Sequence, residues 1–295
     1  MANPVCLSPL KFYDSVAKQN HRKSYAYGHI SPLIMPLNTL DPFQFVLPQG
    51  NSGVIQSASL YNVNGKKVAN IKERLFEAGI TVKTINNYKV VMFKGIFPLV
   101  EIKYEGEYYI GLTVGDFGIE FYSEVFCFTN SLDDCLTIEY WNSEADFFIK
   151  YGIITFADNF KFKLRLRTEL GKPKYTFEEE TTKRLGYSFI ESQVSSKVYK
   201  FNAILPEYLC DALRIIRLCS NKVLTSNDEK YDMITFDMDV DWQDQGDLAS
   251  VNCEFQVDNI IVNLGGYSAE LLGGDFNKDY NNDFDKDYNN DFDKE

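Results

Sequence analysis

VYKFNAILPEYLCDALRIIRLCS, residues 198–220, is where the hydrophobic period changes from that of a strand to that of a helix. Tyr199, Phe201 and Ala203 alternate with Lys200 and Asn202, the pattern of a half-buried strand. Pro206 suits the first helical position, where its missing N–H has no intrahelical partner to lose. Beyond it Leu209, Leu213 and Ile216 fall on one stripe, flanked by Tyr208, Ala212, Ile215 and Cys219. Glu207, Asp211 and Arg214 hold the opposite face, with acids early and Arg214 and Arg217 late, as the helix dipole favours. The spacing predicts one long helix over 206–219, set among strands on both sides.

Outward from that helix the chain reads as β. Its 23 phenylalanines and 19 tyrosines favour sheet and suffice for folded cores. Phe160, Phe162, Leu164 and Leu166 alternate with Lys161, Lys163, Arg165 and Arg167. A hairpin is expected after the helix, with Ile234, Phe236, Met238, Val240 and Trp242 inward and Asp237, Asp239 and Asp241 outward. Its return strand places Ala249, Val251, Cys253, Phe255 and Val257 inward. Tyr175–Phe177 and Tyr187–Ser195 read as strands around a charged loop, Glu178–Arg184. Upstream, Asn64-Gly65 signals a two-residue hairpin turn, and Asn86-Asn87 separates strands 80–85 and 88–93. A short helix is expected near 69–79. GEYYIGLTVGDFGIEFYSEVFCF, residues 106–128, reads as a sandwich hairpin. The fold class expected is mainly β: tandem antiparallel β-sandwich-like domains, the second carrying one long helix (α+β).

Four regions follow. Residues 1–50 hold six of the nine prolines and read as an extended arm. Yet the arm is apolar, through Leu33, Ile34, Met35, Leu37, Phe43 and Phe45. Such a segment needs a groove, in its own domain or in a neighbouring subunit, and these six residues are the candidate interaction site. Removal of 1–48 is expected to abolish multimers and leave a folded monomer. Residues 51–130 form a small antiparallel β domain, and 131–272 a β domain with the helix. Residues 273–295 repeat DFNKDYNN, DFDKDYNN, DFDKE with a period of eight and are expected to be a disordered acidic tail.

The net charge is −12, of which −5 lies in 275–295, where eight acids face three lysines. That balance opposes a sequence-independent nucleic-acid binder, which needs a basic footprint, and no sequence-specific nucleic-acid partner is expected. No stretch approaches 18 consecutive apolar residues, so no membrane partner is expected, and the N-terminus lacks a signal-peptide core. Six cysteines show no CxxC, and Cys210 and Cys219 lie about 13 Å apart along the helix, too far for a disulfide. Reduced, mostly buried thiols made in a cytoplasm are expected.

No catalytic, cofactor-binding or metal residues stand out. The two histidines, His21 and His29, both lie in the arm, and the basic His21–Lys23 patch reads as a solvated turn. Counted from Asp283, the tail places Tyr288 and Lys294 where a calcium loop needs Gly and Glu. Same-face residues on a strand, as in Asp237/Asp239/Asp241, stand about 6.5–7 Å apart, too far to share an ion. The acidic ladder and the basic one at 161–167 read as solvent faces or complementary subunit surfaces.

YTFEEE from Tyr175, Gly186-Tyr187, YKFNAILPEYLCDALRIIRLCS and DLASVNCEF from Asp247 resemble structural proteins of tailed phages and prophages of gut Bacteroidetes. GEYYIGL and FYSEVF look like the preceding domain of the same proteins, so the resemblance spans about 50–265. It implies a tail, neck or baseplate protein, made in the bacterial host cytoplasm and carried in the virion. Its partners would be itself, as a homo-oligomer or ring, and other virion proteins. A carbohydrate-binding or adhesin module at a fibre or cell surface is the alternative, and a two-carboxylate hydrolase a third.

Overall fold

The computed structural model describes residues 6–14, 33–48, 54–85, 88–142, 146–149, 152–155, 160–184, 187–242, 248–257 and 261–264. The chain opens with β1 (Phe12–Asp14), β2 (Ile34–Pro36) and β3 (Phe43–Pro48). Next come β4 (Ile55–Asn62), β5 (Lys67–Asn70), helix α1 (Lys72–Ala78), β6 (Ile80–Ile85) and β7 (Tyr88–Phe93). They are followed by β8 (Gly106–Val114), β9 (Ile119–Ser123), β10 (Phe126–Thr129), β11 (Cys135–Trp141), β12 (Asp146–Ile149), β13 (Gly152–Thr155) and β14 (Phe162–Arg167). β15 (Lys174–Arg184) and β16 (Tyr187–Pro206) lead into helix α2 (Glu207–Leu218). The last described strands are β17 (Asn221–Ser226), β18 (Glu229–Trp242), β19 (Leu248–Val257) and β20 (Ile261–Leu264). The protein is mainly β.

Two compact units divide the chain: residues 1–173 with 198–258, and residues 174–197 with 259–295. No division falls at 131. The reason is a continuous core in the first unit, which runs from Leu7 and Leu10 through Phe43, Ile110 and Phe128 to Tyr140, Leu213 and Phe255.

In the first unit β8 is the central strand of one sheet. It pairs with β4 along one edge and with β9 and β10 along the other. The return from the 115–118 turn is two strands, broken at Glu124 and Val125, where the Glu124 N–H donates to the Lys11 carbonyl at 2.9 Å. The Ser123 hydroxyl accepts the Ile110 N–H at 2.9 Å and donates to the Glu124 carbonyl at 2.8 Å. A three-stranded sheet, β3-β7-β6, packs on this one through Phe45, whose ring meets Phe121 edge-on at 4.7 Å.

The residues expected to form an arm are strands of this unit. β1 pairs antiparallel with β9, and β2 pairs parallel with β10. β3 pairs with β7 over its whole length. Prolines punctuate these strands: β2 ends on Pro36, and β3 runs from the residue after Pro42 to Pro48. Proline is tolerated at strand ends and edges, so strands of three and six residues fit between the prolines. The runs are too short to show a period, which is why the sequence suggests an arm.

The other sheet of the first unit runs β14-β11-β17-β18-β19-β16, joined through the second half of β16, Val198–Pro206. Helix α2 packs on β18 and β19. Leu209, Leu213 and Ile216 are fully buried, with Tyr208, Ala212, Ile215 and Cys219 beside them. Pro206 is the N-cap rather than the first helical residue, because its ψ of 162° still belongs to the strand. A bulge between Met233 and Thr235 shifts β18, which buries Met233 and leaves Ile234 45% exposed. Alternation read straight through the sequence therefore misplaces Ile234.

In the second unit β15 and β20 flank the first half of β16. Glu178–Arg184 is part of strand β15, not a loop. Its carboxylates are taken up across the strands: Ser192 donates to Glu180 at 3.1 Å and Gln193 to Glu179 at 2.7 Å. The tail 273–295, with the expected disorder, lies outside the described residues, as do His21, Lys23 and His29.

Candidate functional site

The first unit contains a cleft of about 590 Å³. Its floor is the β11–β14 ladder, which carries Glu139 and Lys163, with Lys161 just before β14. Its walls are the loops Thr39–Pro42 and Lys94–Phe97, with Ala78 at the end of α1. The two wall loops are tied to each other: Leu40 and Ile96 exchange backbone hydrogen bonds of 3.0 and 2.8 Å. Gly95 makes this approach possible. It sits at φ +87°, and a Cβ there would overlap the Leu40 carbonyl oxygen.

Charge dominates the floor. Lys161 and Lys163 both reach Glu139, at 3.1 and 3.5 Å, and Lys161 Nζ also lies 4.0 Å from the Trp141 ring centroid. Lys94 projects from the wall. Three lysines against Glu139 leave two positive charges in excess, since Asp41 is matched by Arg165. Phe97 stands at the rim, 77% exposed. The recess suits an acidic segment with an apolar anchor.

Beneath the wall, Asp41 and Arg165 form a two-pronged buried ion pair, with both residues less than a tenth exposed. Of the basic ladder, then, Lys161 and Lys163 line the cleft while Arg165 fixes the 39–42 loop to β14. No sequence signal marks Asp41 as its partner, 124 residues away.

The six residues expected to form an interaction site lie elsewhere. Leu33, Ile34, Met35, Phe43 and Phe45 are buried, and Leu37 packs against the same core. Phe43 stacks on Phe93 with ring centroids 4.5 Å apart. The groove they fill belongs to this chain.

The cysteines are unpaired, and burial pushes the thiols up: Cys210 to about 11, Cys219 and Cys253 to about 12. A thiol so raised is a poor nucleophile at neutral pH. Among the described residues no three His, Cys, Asp or Glu side chains gather as metal ligands. None of the described helices is long and apolar enough to cross a membrane. No family model, curated protein or solved structure matches the chain.

Proposed function

We propose that this protein is an assembly subunit, a tail, neck or baseplate component of a tailed-phage virion that works by binding other protein subunits. The observation that carries the reading is the lysine-floored cleft with Phe97 at its rim. Its walls are held by a buried ion pair and backbone hydrogen bonds, so it meets a partner with little ordering cost. A recess with excess positive charge beside an exposed aromatic is suited to a protein segment that pairs acids with an apolar anchor. The resemblance of residues 50–265 to phage structural proteins supplies the setting. Particles purified by density gradient from the encoding bacterium should contain the chain in stoichiometric amount by mass spectrometry. Its absence from intact particles would contradict the virion assignment.

A second reading, a carbohydrate-binding or adhesin module, is favoured by one cluster. Tyr61 stacks on Tyr109 at 5.2 Å, and Tyr61 and Tyr122 close over Gly111, where a Cβ would meet the Tyr61 ring at 2.8 Å. Half-buried rings over a glycine floor resemble a sugar platform, whereas Tyr109 itself is core. Saturable binding on a glycan array, lost in Tyr122→Ala, would move this reading ahead.

A further inference from the structure

The second surface is a strand edge. β17 covers β18 only at Glu229–Asp232. Along Thr235–Trp242, β18 pairs with β19 on one side and with no described strand on the other. A free edge presents unpaired N–H and C=O groups and invites another chain. Here Asp237, Asp239 and Asp241 stand exposed along one face of the edge, and Trp242 closes it, 45% exposed. Asp237 is held by Arg217 of α2 at 2.5 Å, while no described cation pairs with Asp239 or Asp241.

We propose that this edge docks on the Lys94–Lys161–Lys163 cleft of a second copy of the chain, giving a head-to-tail contact. The proposal rests on the assembly reading and names the partner. Three features select that occupant. The cleft has positive charge in excess, and the edge offers two carboxylates with no cation partner among the described residues. Each surface carries one exposed aromatic, Trp242 on the edge and Phe97 at the cleft rim, the residue type that anchors interfaces. Edge-to-edge pairing of two β18 strands is disfavoured, because it would set the aspartate ladders against each other. The contact joins two different patches, so each subunit keeps one of each kind unused, and growth continues until a ring closes or a filament forms.

The test uses the full chain and sedimentation velocity over a concentration series. One variant, Asp239→Lys with Asp241→Lys, alters the edge. A second, Lys161→Gln with Lys163→Gln, alters the cleft floor. Lys94→Glu is a third, chosen because no described side chain pairs with Lys94 and its loss leaves Glu139 undisturbed. Circular dichroism confirms that each is folded. The wild type should associate, and each variant alone should associate at least about tenfold more weakly. An equimolar mixture of the edge variant with Lys161→Gln/Lys163→Gln retains one good patch of each kind, and the neutralised cleft offers no added negative charge to the reversed edge. It should yield 1:1 dimers and nothing larger. Wild-type multimers that all three variants leave intact would overturn this contact while the assembly reading stood. A wild type that is monomeric throughout would overturn the self-contact, while the virion reading would still be decided by whether the chain is found in purified particles.

Discussion

At the scale of single residues, Asp41 and Arg165 matter most. Both are buried, and Arg165 Nε has no hydrogen-bond partner among the described residues, so the guanidinium depends on Asp41. Removing one member of a buried pair strands the other charge at a cost of about 3–5 kcal/mol, whereas an apolar double replacement can be neutral. Asp41→Ala should therefore lower the urea midpoint strongly, and Asp41→Leu with Arg165→Met should recover most of the loss. Equal losses in both would show that the pair is not what holds the loop. The buried thiols make a second residue-scale prediction. Burial raises Cys219 and Cys253 from 9.0 to about 12, so the folded state holds their protons more tightly than the unfolded state does. Their contribution is complete below about pH 9 and is lost as pH rises from 9 towards 12. Lys222, lowered by burial, works in the opposite sense. Melting temperature should be level to about pH 8.5 and then fall. In Cys219→Ala/Cys253→Ala the fall should be shallower, and an unchanged slope would contradict this account.

At the scale of elements, helix α2 is the clearest case. Leu213 is fully buried, so Leu213→Ala should destabilise by about 2–5 kcal/mol. An unchanged denaturant midpoint would refute the packing. Deleting residues 1–48 makes a larger prediction. It removes β1, β2 and β3, the Lys11–Asp211 salt bridge of 2.8 Å and the Leu7 carbonyl that accepts the buried Tyr140 hydroxyl at 2.6 Å. The truncated chain should lose its β-type circular dichroism, and a folded monomer would show that the segment is an arm after all. Much at this scale was legible in the sequence. Long alternating runs such as 248–257 reveal their faces, and α2 differs from its predicted bounds by one residue at each end. β2 and β3 were not legible, because short strands bounded by prolines carry no period. The β18 bulge was hidden as well, since a single inserted residue leaves the composition unchanged while it reverses the faces.

At the scale of the whole molecule, the first unit presents two surfaces of opposite charge, and this is where the account of function rests. The sequence showed both ladders, Asp237/Asp239/Asp241 and Lys161/Lys163/Arg165/Arg167, as charges on strands. It did not show that Arg165 is withdrawn into a buried pair, or that loops 39–42 and 94–97 turn the remaining lysines into a cleft. Those facts depend on contacts between distant residues. Exposed charges a few ångströms apart are sensitive to ionic strength: the Debye length falls from about 10 Å at 0.1 M salt to about 3 Å at 1 M. The most direct test is the mass of the intact protein by light scattering, taken across concentration at low and at high salt. The account predicts a mass well above the 33.9 kDa chain at low salt, rising with concentration and reduced by 1 M salt. A mass of 33.9 kDa at every concentration and salt would contradict it.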